Sequence, residues 1–75
     1  MMTVEKLKEL VFRKPFRPVR ISLKSGEAYE MRHPETLIVT SLGCVLADES
    51  QELFVIFDAD QVTSVRYVRN ARARK

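Results

Sequence analysis

The sequence is poor in the residues that staple a small domain or load it with a cofactor. It holds one cysteine (Cys44), one histidine (His33), no tryptophan and only two glycines. A lone cysteine excludes an intramolecular disulfide, and with a lone histidine it cannot supply the four ligands of a structural zinc site. Long apolar runs are missing too: the longest, Leu53-Phe54-Val55-Ile56-Phe57, falls far short of the roughly 20 residues that span a bilayer. The opening residues, Met1 to Lys8, alternate charged with apolar side chains and lack the apolar centre of a secretion signal. The expectation is a cytoplasmic protein with no membrane contact, no cofactor and a reduced Cys44.

What is present is material for one core. The 75 residues are 45% hydrophobic and 31% charged, which is globular rather than disordered in composition. A domain this small gains only about 3–5 kcal/mol net from its core, so packing or self-association must do what disulfides and metals do elsewhere. The net charge of +3 suggests a polyanion partner until it is divided along the chain. Residues 69–75 carry Arg69, Arg72, Arg74 and Lys75, and without them nine basic residues face ten acidic ones. Within 1–68 the charge is also segregated. Arg13, Lys14, Arg17, Arg20 and Lys24 come early, whereas residues 27–60 hold eight carboxylates against Arg32 alone.

Thr3 suits a helix N-cap, and Val4, Leu7, Leu10 and Val11 form an apolar stripe at helical spacing, so a helix is expected over about 3–13, stopped by Pro15. Phe16 is placed to anchor it. Val19, Ile21 and Leu23 alternate with Arg20, Ser22 and Lys24, the signature of a half-buried strand. A turn at Ser25-Gly26 leads to a second strand with Tyr29 and Met31 on one face, and Pro34 then breaks the pattern. Thr36–Thr40 and Cys44–Ala47 read as a second hairpin. After the polar loop Asp48–Glu52, the uninterrupted run Leu53–Phe57 implies burial on both faces and a central or interfacial strand. Val62–Val68 is the last strand. The expected fold class is α+β, mostly β: one helix and about five short antiparallel strands in a strongly bent sheet or small barrel over 1–68, with a basic, disordered tail over 69–75.

Residues 13–35, with Pro15-Phe16-Arg17-Pro18, the strand-glycine-strand hairpin around Gly26, and His33-Pro34-Glu35, resemble a family of short uncharacterised bacterial proteins. That resemblance implies no activity. A leading helix, short strands and a tight turn over Asp58–Gln61 are also similar in topology to Sm-like and SH3-like barrels. The aspartate and arginine-glycine patterns with which Sm proteins hold RNA are missing, so the likeness carries no RNA-binding residue over.

Five groups of residues are candidates for function. His33 beside Glu35 is the pairing of a general base with its orienting carboxylate, but no nucleophile or second acid accompanies it, and a bent strand with solvated side chains explains it as well. Cys44 lies among apolar neighbours, as core cysteines do, and Asp58 with Asp60 fits a turn better than a calcium loop. No catalytic set emerges, so no enzyme and no small-molecule substrate is expected. The leading expectation is a non-enzymatic binding or assembly module that self-associates through Leu53, Phe54, Val55, Ile56 or Phe57, as a homo-oligomer or with another protein. The alternative is a nucleic-acid-binding barrel using Arg13, Lys14, Arg17, Arg20, Arg69, Arg72, Arg74 and Lys75.

Overall fold

The computed structural model describes residues 2–68. The expected basic tail over 69–75 lies outside the described residues. Helix α1 spans Val4–Val11, and six strands follow: β1 Val19–Leu23, β2 Ala28–Met31, β3 Leu37–Thr40, β4 Gly43–Asp48, β5 Leu53–Phe57 and β6 Val62–Tyr67. They form two three-stranded antiparallel sheets, in the orders β2-β1-β6 and β3-β4-β5. The α+β, mostly β expectation stands at that level. The count of about five strands is corrected to six, and among the described residues no ladder joins the two sheets into a closed barrel. No helix among them is long and apolar enough to cross a membrane.

Local chemistry explains the elements. The Thr3 hydroxyl accepts the Lys6 amide at 3.1 Å and caps α1, whose Leu7 and Val11 are buried. The helix closes at Phe12, whose amide donates to the Lys8 carbonyl, two residues before Pro15 would forbid helical geometry at Lys14. Phe16 packs half-buried against the core, in the anchoring position expected of it. Between β1 and β2, Gly26 takes φ +97°, and its amide donates to the Leu23 carbonyl to make the turn.

The core lies between the sheets. Val19, Ile21 and Leu23 of β1, Tyr29 and Met31 of β2, Leu37 of β3, Cys44 and Leu46 of β4, Phe57 of β5 and Val62 of β6 are all buried, with Leu7 and Val11 alongside. One irregularity lets β6 contribute more than strict alternation allows. The β1–β6 register shifts between Ser22, opposite Ser64, and Leu23, opposite Val62, which leaves Thr63 as the extra residue of a bulge. Val62 and Val65 therefore both reach the core, while the Thr63 hydroxyl donates to the Ser22 carbonyl at 3.2 Å.

Shortening Ile21 to valine is expected to lower unfolding free energy by about 0.5–1.5 kcal/mol, and Leu46→Ala by about 2–5 kcal/mol, a loss comparable to the whole stability of so small a core. Urea titration followed by circular dichroism measures both.

Candidate functional site

The inner and outer faces of the β3-β4-β5 sheet follow from period-two alternation. Leu53 and Val55 are half-buried and Phe57 is buried against the core, so Phe54 and Ile56 point outward, 79% and 77% exposed. This corrects the expectation that Leu53–Phe57 is buried on both faces. Of the two places expected for the strand, central or interfacial, the first is excluded, since β5 lies at the sheet edge. The strand's inward set is thereby Leu53, Val55 and Phe57, and its outward set Phe54 and Ile56.

Register then builds a surface around that outward set. Ile38 lies opposite Val45, and Val45 opposite Ile56, so three β-branched side chains form one row across the sheet. Ala47 lies opposite Phe54 in the next row. At the β3–β4 tip the Thr40 hydroxyl accepts the amides of Leu42 and Gly43, and this tight turn leaves Leu42 95% exposed. Apart from Thr40, every residue on this outer face is apolar. The outer face of the other sheet is ordinary by comparison. There Arg20 lies opposite Arg66 on one side and Glu30 on the other, and Glu30 accepts from Arg20 at 2.8 Å and pairs with Arg32 at 3.1 Å.

A buried carboxylate joins the two sheets. Asp48 ends β4 and is 1% exposed. One oxygen accepts the Ser50 amide at 3.0 Å, the Ser50 hydroxyl at 2.6 Å and the Gln51 amide at 3.1 Å. The other accepts the Glu30 amide of β2 at 3.0 Å and the Gln51 side chain at 2.7 Å, while Gln51 also donates to the Ala28 carbonyl at 3.2 Å. Burial pushes the Asp48 pKa upward, but the bonds from Ser50, the Glu30 amide and Gln51 together outweigh it and hold it at about 2. In the same loop, Glu52 takes the left-handed φ of 58° that returns the chain into β5.

The remaining candidates are dispersed. Arg13 and Arg17 meet at Tyr67: the Arg17 guanidinium lies 4.0 Å and that of Arg13 5.7 Å from the ring centroid, and Arg13 also donates to the phenol oxygen. Lys14 is exposed nearby in sequence, and Arg20 is engaged by Glu30 instead. Arg69, Arg72, Arg74 and Lys75 lie outside the described residues. His33 pairs with Glu49 at 3.0 Å, both more than half exposed, and Glu35 is the middle residue of a short 3₁₀ turn over Pro34–Thr36. Cys44 is fully buried, and burial first, then Asp58, pushes its thiol pKa up, which suppresses thiolate chemistry. Asp58 caps the 3₁₀ turn Ala59–Gln61, and its carbonyl accepts the Gln61 amide. Among the described residues no three His, Cys, Asp or Glu side chains gather as a metal site requires.

No family model, curated protein or solved structure matches the chain. The site is therefore defined by its own geometry. Sequence reasoning missed Ile38, Val45, Leu42 and Tyr67 as surface groups, and Asp48 as a buried one. The signal for Asp48 was available in Asp48-x-Ser50-Gln51, a spacing at which an aspartate folds back on the amides that follow it.

Asp48→Ala strands the Glu30 amide and the Gln51 side chain, and is expected to cost on the order of 2–4 kcal/mol in urea titration. Because Asp48 is held at about 2 against 3.8 when free, its stabilisation is complete above pH 4 and disappears as pH falls through 2. Acid titration of wild-type stability should show a loss of roughly 2 kcal/mol over that window, and Asp48→Ala should lack that component.

Proposed function

We propose that this protein is a non-enzymatic assembly module that self-associates through the outer face of its β3-β4-β5 sheet. The observation that carries this reading is the uncovered row Ile38–Val45–Ile56 with Phe54 and Leu42 beside it. At about 150–200 Å² for a fully exposed large side chain, these residues leave on the order of 600 Å² of apolar surface in water. That is at or above the upper end for a monomer, and it supplies most of the roughly 800 Å² per partner of a specific interface. A second copy is the occupant this surface suits best. Within the strands the face carries no charged side chain, Glu52 and Asp58 lying just beyond the ends of β5, and a two-fold interface needs only a self-complementary patch.

A second reading has its own observation. Arg13 and Arg17 converge on Tyr67 without a carboxylate partner among the described residues, and the sequence runs on from Val68 into four more basic residues. This cluster is a phosphate-binding surface in the nucleic-acid alternative. It ranks second because Tyr67 is already stacked by Arg17 and not free to stack a base, and Arg20 is neutralised by Glu30.

Sedimentation over a wide concentration range is expected to show reversible association of the wild type. A Phe54→Ser/Ile56→Ser double variant should stay monomeric with its circular dichroism unchanged, because both side chains lie outside the core. A wild type that is monomeric throughout contradicts the reading. In gel-shift titrations with single-stranded RNA, no binding at low salt removes the second reading. Binding that weakens with salt and is lost in Arg13→Ala/Arg17→Ala restores it.

A further inference from the structure

Exposed strand edges invite pairing with other chains, and proteins blunt them with bulges, charges or covering groups. Three of the four edges here carry such a device. On β2 the outward Glu30 amide and Ala28 carbonyl are taken by Asp48 and Gln51, side chains that stand in for a neighbouring strand. The β3 strand has α1 packed against it, and β6 carries the Thr63 bulge and Arg66. The β5 edge has none. It is five residues, Leu-Phe-Val-Ile-Phe, without charge, proline, glycine or bulge, and among the described residues its only hydrogen-bonded neighbour is β4.

We propose that this edge receives the β5 strand of a second copy, antiparallel and two-fold symmetric about Val55, merging two three-stranded sheets into one continuous sheet. The inference rests on the assembly reading above and adds an edge contact to it, distinct from the contact through the outer face. In this register Val55 meets its own counterpart, Phe54 lies opposite Ile56 of the second copy, and Leu53 opposite Phe57. All five positions of the run then find apolar partners. The outer row Ile38–Val45–Ile56 continues into Phe54 and Ala47 of the second copy, so strand pairing also doubles the apolar face along one surface. Just beyond the run, Glu52 of each copy, at the turn into β5, comes near Asp58 of the other. These two like-charge contacts weaken the pairing at low ionic strength and give it a signature that face-to-face stacking of the sheets does not require.

The test combines sedimentation with disulfide trapping. Residues directly opposite in a ladder are about 4.5–5.5 Å apart at Cα, within disulfide reach. Phe54 and Ile56 lie within the strand, exposed and opposite one another in this register, so an equimolar mixture of Phe54→Cys and Ile56→Cys chains should form a covalent heterodimer under mild oxidation, in preference to disulfides within either variant alone. The native Cys44 is buried and takes no part. Wild-type dimerisation should tighten about tenfold between about 50 mM and 500 mM salt, and Glu52→Lys should tighten it by a similar factor at the lower salt. A dimer that forms no mixed disulfide and ignores Glu52→Lys overturns the strand pairing while leaving the assembly reading intact. A wild type monomeric under all conditions overturns both.

Discussion

Removing a carboxylate from water costs several kcal/mol unless its lone pairs are filled by good donors. Asp48 fills them with five, from Ser50, Gln51 and the Glu30 amide. The arrangement fixes more than one side chain. Asp48 ends the central strand of one sheet and the Glu30 amide lies on the edge of the other, so this single group sets how the two sheets meet. It also organises the loop that follows. Ser50 and Gln51 are bound to it, Glu52 then takes its left-handed turn, and β5 leaves in register with β4. In a chain with no disulfide and no metal cluster among its described residues, a charge-assisted network of this kind takes over part of a staple's role.

The same network makes the molecule lopsided. By occupying the β2 edge it takes up the Glu30 amide and Ala28 carbonyl of the first sheet, whose outer face is an Arg20–Glu30–Arg32 lattice that water solvates well. Nothing comparable completes the second sheet. Its outer face presents aliphatic and aromatic side chains, and its last strand ends in an uncovered edge. An uncovered apolar face beside an uncovered strand edge is costly for an isolated molecule. The segregated charges follow this division in part. The early arginines Arg13 and Arg17 gather at Tyr67 on the first sheet, whereas Glu52 and Asp58 flank the apolar strand of the second.

Legibility in the sequence varied with how local the cause was. The helix could be read from Thr3 and the Leu7/Val11 stripe, and β1 from the alternation of Val19, Ile21 and Leu23, because cap and period are properties of neighbouring residues. The run Leu53–Phe57 misled. An apolar strand buried on both faces and an edge strand with one apolar face in water have the same sequence pattern, and only the strand order separates them. Ile38 and Val45 were hidden for a related reason, since their row exists only once β3, β4 and β5 are in register. The β6 bulge and the engagement of Arg20 by Glu30 are long-range pairings that composition does not encode. Asp48 was read as loop because aspartate at a strand end is ordinarily solvated. Its burial depends on the β2 amide that meets it.

One edge of this fold is closed internally, and in the proposed assembly another is left open for a second copy. Amide hydrogen exchange measured residue by residue at several protein concentrations tests this arrangement most directly. The Glu30 amide should be protected at every concentration, and the β5 amides not bonded to β4 should exchange rapidly in dilute solution and slow as concentration rises. Rapid exchange at Glu30, or β5 protection that does not change with concentration, would contradict it.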